Sequence, residues 1–93
     1  RFDLLSAIAE NAGVPLVLHG ASGVPYDMLK KSVTMGIRKV NITTELYAAH
    51  ADALKRALAG VWSANARDMR KASQAAVDAV RAVAVSKIRM FCY

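Results

Sequence analysis

Two short apolar runs, each followed by a small or polar loop and then a helical pattern, constrain this chain more than any other feature. Val14-Pro15-Leu16-Val17-Leu18-His19 and Ile37 to Ile42 both read as buried strands. The first is continuously apolar, as strands of a parallel sheet covered on both faces tend to be. Pro15 fits only near the start of such a strand. Two consecutive strand-loop-helix units predict a parallel pair joined by a right-handed helical crossover. Two parallel strands cannot make a stable sheet alone. The pattern therefore reads as a cut-out of a larger α/β fold.

The flanking segments agree. Residues 2–12 place Leu5, Ile8, Ala9 and Ala12 on one helical face, with Gly13 as a stop. Gly20 to Val24 is a tight small-residue loop, and Pro25 suits the first turn of a helix running to about Met35. Met28, Leu29, Ser32 and Val33 should face inward on it, with Gly36 ending it. Thr43 and Thr44 offer hydroxyls at the start of a third helix, and Glu45 is favourably placed near its N-terminus. Leu46, Ala49, Ala53, Leu54, Ala57 and Leu58 form that helix's apolar stripe. Gly60 to about Asn65 reads as a connection, and a last helix carries Ala76, Val80, Val83, Ala84 and Ile88 on one face.

Composition narrows the function classes. The 93 residues suffice for one small domain, and the chain opens on Arg-Phe-Asp without an initiator Met, compatible with a fragment, a processed chain or an incomplete one. Ala and Val supply much of the 55% hydrophobic content, which suits helices packed closely on a parallel sheet. The formal charge of +6 would suit a polyanion. Yet the basic residues are scattered and no aromatic residues interleave with them, so nothing beyond charge supports a nucleic-acid role. Cys92 is the one cysteine, which excludes an intrachain disulfide. No apolar run reaches the length of a membrane span and no secretory signal pattern opens the chain, so a reducing, cytoplasmic setting is the default.

The chemistry sits where strands end and helices begin, the ligand-binding end of α/β folds. One segment is Leu16-Val-Leu-His-Gly-Ala-Ser-Gly-Val-Pro25; the other is Lys39-Val-Asn-Ile-Thr-Thr-Glu-Leu46. Backbone N–H groups of a small-residue turn beside a helix N-terminus make an anion site, and the Ser22 hydroxyl adds a donor. The second segment repeats the arrangement with Asn41 at the strand end and two threonines before a helix. Two adjacent loops of this kind suit a single phosphate. Each residue also has a plainer reading. His19 can be a structural histidine at a strand end, Asn41 a turn-former, and Ser22, Thr43 and Thr44 helix caps. His50 reads as a surface or packing histidine, Trp62 and Tyr47 as packing residues, and the four methionines as filler.

HGASGVP resembles the HGGSG or HGASxVP signature of class II ketose-bisphosphate aldolases, and KVNITTEL resembles their K-[IV]-N-x-x-T-[DE]-L segment. The separation of the two also matches, and KIRMF resembles the K-I-R-x-F near the end of these enzymes. Ala21 and Thr43-Thr44-Glu45-Leu46 look closer to the tagatose-bisphosphate than to the fructose-bisphosphate branch. The resemblance implies the C-terminal fragment of a (β/α)8 TIM barrel, strands 7 and 8 with their helices, with residues 1–93 forming one segment of a single barrel domain. It implies an aldolase cleaving a ketose 1,6-bisphosphate reversibly to dihydroxyacetone phosphate and glyceraldehyde 3-phosphate. His19 would be one ligand of a Zn2+ ion that polarises the ketone carbonyl, accompanied by a monovalent cation, Na+ or K+. Gly20, Ala21 and Ser22 would contact the phosphate. Asn41 would hydrogen-bond the reacting part of the substrate. Ile42, Thr43 and Thr44 would complete the binding loop, with Thr44 on the phosphate. The full-length enzyme would be a homo-oligomer.

A zinc centre needs about three protein ligands, and this sequence offers one credible candidate. Cys92-Tyr93 also stands where Gly-Ser is common in the family. The chain by itself is therefore expected to be inactive, and a non-catalytic phosphate-ligand or interaction module derived from an aldolase is the alternative. The isolated 93-residue chain would expose strand edges and barrel-facing side chains. It should be partly unfolded or self-associating, with strong binding of a hydrophobic dye and concentration-dependent sedimentation. A sharp, concentration-independent unfolding transition of a monomer would contradict this.

Overall fold

The computed structural model describes the backbone of residues 1–63 and 68–92, and their side chains except at 61–63. The element order is α1 (Phe2–Ala12), β1 (Leu16–Leu18), α2 (Tyr26–Thr34), β2 (Ile37–Val40), α3 (Thr44–Ser63) and α4 (Met69–Cys92). These form two compact units, Arg1–Thr43 and Thr44–Tyr93. The architecture is helix-rich α/β. Among the described residues no helix is long and apolar enough to cross a membrane.

In the first unit β1 and β2 pair in parallel through the α2 crossover. Both strands are shorter than the apolar runs, ending at Leu18 and Val40. Gly13 stops α1 in the left-handed conformation at φ 61°, as expected. Pro25 stands one position outside α2, as its N-cap. A proline ring there removes only an N–H that the helix would not use. The core is small: Ala21, Leu29 and Ile37 are buried, with Ser32 beside them donating its hydroxyl to the Leu29 carbonyl at 2.6 Å. Leu29 and Ser32 face inward as expected and Val33 is half-buried, but Met28 is exposed. On α1 the covered residues are Phe2, Leu5, Ser6 and Ala9, whereas Ile8 and Ala12 face out. Phe2 is covered from α2, where the Lys31 ammonium lies 4.4 Å from the centre of its ring in a cation–π contact.

The register of the sheet carries an irregularity. Leu16 pairs with Ile37, but Val17 pairs with Lys39 and Leu18 with Val40. Arg38 is thus an extra residue on β2, a bulge. Its guanidinium donates to the Val33 carbonyl at 2.8 Å and so satisfies a carbonyl at the end of α2.

The second unit is an antiparallel helical hairpin. The α3 stripe is as expected: Leu46, Ala49, Leu54, Ala57 and Leu58 are half-buried and Ala53 is buried. On α4, Ala72, Ala76 and Met90 are buried and Val80, Val83 and Ala84 are half-buried, while Ile88 is exposed. The inward position in that turn goes to Lys87 instead. Its ammonium meets the Glu45 carboxylate in the first turn of α3 at 2.7 Å. Much of the alanine content serves this helix–helix contact, where small side chains let backbones approach. Asp68 caps α4, accepting from the Arg70 backbone N–H at 3.1 Å and from its guanidinium at 2.9 Å. The Arg70 side chain first, and its backbone N–H second, hold the Asp68 carboxyl below its ordinary range. Stability from that cap is complete above the ordinary carboxylate pKa and fades as pH falls through the lowered value. Helix α3 continues through Gly60, so the expected connection begins later. Its remainder, and the packing expected of Trp62, lie outside the described residues.

Gly36 makes the turn between α2 and β2 at φ 107°, and a Cβ added there would sit 3.2 Å from the Ala9 Cβ. Gly36→Ala combines a backbone conformation unfavourable to L residues with a tight approach to Ala9 on α1. It should destabilise the full-length protein by about 1–3 kcal/mol. Denaturant unfolding checks this, and a change within about 0.5 kcal/mol, the range of a surface substitution, would contradict it.

Candidate active site

The ends of β1 and β2 are level because of the bulge. With Leu18 opposite Val40, the next residues are His19 and Asn41. The Asn41 backbone N–H donates to the Leu18 carbonyl at 2.9 Å and extends the ladder by one bond. The two side chains meet there. The Asn41 amide nitrogen lies 3.1 Å from His19 Nδ1 and 3.5 Å from Nε2. His19 is exposed and Asn41 half-buried. A neutral imidazole has one donor and one acceptor nitrogen. An amide N–H donated to Nδ1 leaves the proton on Nε2. A half-turn of the amide would present its oxygen to an Nδ1–H and free the Nε2 lone pair. The orientation of the Asn41 amide therefore decides whether the Nε2 lone pair is open to a ligand, as only the second arrangement leaves it.

The loop after His19 is built from glycine conformations. Gly20 has φ 68° and Gly23 has φ 81°. The Val24 N–H donates to the Ala21 carbonyl at 3.2 Å, so Ala21 to Val24 form a β-turn with a positive-φ glycine at its third position, the type II pattern. The Ala21 methyl is the anchor, 1% exposed. Among the described residues no hydrogen bond takes up the backbone N–H groups of Ala21, Ser22 or Gly23, nor the half-buried Ser22 hydroxyl. Helix α2 begins just beyond, with no side-chain cap at Pro25. Unspent donors at a turn and a helix start are what an anion site requires. Ala21 would take part only through its backbone.

Of the second loop, Ile42 is half-buried and Thr43 exposed, both in the first unit. Thr44 is exposed and opens α3 in the second unit. Neither threonine hydroxyl makes a capping hydrogen bond among the described residues. The first unit thus gathers His19, Gly20, Ala21, Ser22, Asn41, Ile42 and Thr43 at one edge, and Thr44 is described with the hairpin.

Among the described residues no three His, Cys, Asp or Glu side chains come together. Cys92 is an exposed free thiol, and His50 is an exposed residue on α3 beside Leu46, Tyr47 and Val80. His19 is therefore a single candidate donor, and these residues do not make a metal centre by themselves. Two features were missed from the sequence. The Arg38 bulge has no glycine to announce it. The Glu45–Lys87 pair joins residues too far apart for any helical spacing to suggest.

The family described as fructose-bisphosphate aldolase class-II matches residues 1–93. A 6-phospho-5-dehydro-2-deoxy-D-gluconate aldolase of Bacillus subtilis is 47% identical over 55 residues, 59% of this chain and 19% of that protein. A fructose-bisphosphate aldolase of Geobacillus stearothermophilus is 33% identical over 90 residues, 97% of this chain and 31% of that protein. The crystal structure of the YdjI aldolase from Escherichia coli K12 matches 98% of this chain and 32% of its own, with TM-score 0.82 and 32% identity. The chain thus spans about a third or less of the length of these relatives.

Proposed function

The chain belongs to the class-II fructose-bisphosphate aldolase family, and from that premise we propose that it is the C-terminal, phosphate-binding segment of a zinc-dependent aldolase. Residues 1–93 would be one part of a single (β/α)8 barrel domain, with β1 and β2 as its seventh and eighth strands. The enzyme would cleave a tagatose or fructose 1,6-bisphosphate reversibly to dihydroxyacetone phosphate and glyceraldehyde 3-phosphate. One observation carries the reading: His19 and Asn41 stand side by side at the level ends of paired parallel strands, next to a loop of unspent donors.

The residues divide the work by what their groups can do. The N–H groups of Gly20, Ala21 and Ser22 and the Ser22 hydroxyl would hold a phosphate whose charge does not change during reaction. The Thr44 hydroxyl would be a phosphate contact as well. Ile42 and Thr43 would complete the loop. Asn41 would donate to an oxygen on which negative charge builds, the kind of interaction that accelerates a reaction rather than merely binding. His19 would supply one zinc ligand, the others coming from parts of the enzyme outside these residues. A monovalent cation, a homo-oligomeric assembly and a cytoplasmic setting complete the proposal.

The phosphorylated deoxygluconate in the name of the 47%-identical relative extends the substrate class to other phosphorylated sugar derivatives. A second reading, a non-catalytic phosphate-ligand or interaction module, is favoured by the lack of a three-ligand cluster among the described residues.

In the full-length enzyme His19→Ala should lower zinc content and abolish turnover. Ser22→Ala should raise KM more than it lowers kcat. Asn41→Ala, with zinc content intact, should lower kcat by about 10²-fold, the scale of losing one charge-stabilising donor. If His19→Ala kept both its zinc and its activity, the metal assignment would be wrong. If Ser22→Ala left both constants untouched, the Gly20 to Ser22 loop would not be an anion site.

A further inference from the structure

Among the described residues, the Glu45–Lys87 pair stands apart from the other ion pairs. Each of the others has at least one partner that is mostly exposed. In this one the side chains are only 18% exposed for Lys87 and 31% for Glu45, at 2.7 Å. Exposed pairs contribute little, whereas a covered pair holds its geometry and is weakly screened. Its location is also specific. Glu45 follows Thr44 directly, in the first turn of α3, and is the acidic residue of that turn. A bare carboxylate there interacts favourably with the helix dipole, but it opposes any second anion at the same helix start.

We infer that Lys87 is a positioning and charge-neutralising residue for phosphate at the start of α3. It pins the Glu45 carboxylate onto α4 and cancels its charge, so that the Thr44 hydroxyl and N–H can donate to a phosphate dianion. This inference rests on the reading of Thr44 as a phosphate contact. It gives the lysine of the KIRMF segment a role in binding, although Lys87 lies on a different helix from the loop it serves. Helix packing alone does not require a lysine at an inward position of α4, where an apolar residue would fill the space without leaving a charge to be paired.

The test uses the full-length enzyme, with inorganic phosphate as competitive inhibitor and the bisphosphate as substrate. Lys87→Met should leave Glu45 unpaired and raise both the phosphate inhibition constant and KM by about tenfold, the scale of one partly screened unit-charge interaction. The change should fall on KM rather than kcat. Lys87→Arg should largely restore binding. The double variant Glu45→Gln with Lys87→Met should recover most of the loss, because no charge then remains to be neutralised. Glu45→Gln alone should bind phosphate at least as well as the parent. If the double variant binds as weakly as Lys87→Met, or Glu45→Gln weakens phosphate tenfold, the pair acts through structure and the inference is overturned. Thr44→Ala separates the two levels. Weaker phosphate binding in Thr44→Ala with no effect of Lys87→Met would defeat this inference alone. Unchanged binding in Thr44→Ala would remove the phosphate contact on which it rests.

Discussion

The register of one parallel strand pair governs which residues meet at the strand-end edge of the first unit. Pairing without the bulge would continue from Leu16 opposite Ile37 to Leu18 opposite Lys39, leaving His19 level with Val40. The extra residue at Arg38 advances β2 by one, so that Val40 meets Leu18 and Asn41 stands beside His19. Because side chains alternate faces with a period of two, a slip of one residue changes both level and direction. The Arg38 side chain is not idle: its bond to the Val33 carbonyl ties the bulge to the end of the crossover helix. The Asn41 backbone bond to Leu18 then closes the ladder. Three hydrogen-bonded features, within a few residues of chain, put an imidazole and an amide into contact.

Beside this pair, the loop from Gly20 to Val24 is anchored at some groups and leaves others unspent. Its buried Ala21 methyl and its turn bond from Val24 hold it in place. Its positive-φ glycines aim the backbone as L residues with side chains rarely do. The donors left over among the described residues are main-chain N–H groups and one hydroxyl, none of them carrying a full charge.

Much of this was legible in the residues. Gly13 and the apolar runs announced α1 and both strands, and the two strand-loop-helix segments announced the edge at which His19 and Asn41 meet. The α3 stripe was read correctly because a long amphipathic helix has many positions to agree with one another. What escaped the sequence depends on partners. Ile8 and Met28 look like core residues by spacing, but the small contact between α1, α2 and β2 covers Phe2, Leu5 and Leu29 instead. Ile88 lost the inward position to Lys87 because an ion pair with Glu45 satisfied a charge there. The bulge was hidden because Arg38 owes its place to a carbonyl on another element, which no pattern within β2 can reveal.

The central claim is that His19, brought level with Asn41 by the strand register, is a metal ligand of the enzyme to which this chain belongs. Anomalous diffraction at the zinc absorption edge, from crystals of the full-length enzyme grown with zinc, tests it most directly. The account predicts an anomalous peak about 2.0–2.1 Å from one His19 ring nitrogen, the usual zinc–imidazole distance. A zinc peak elsewhere in the enzyme, with none within coordination distance of His19, would contradict it.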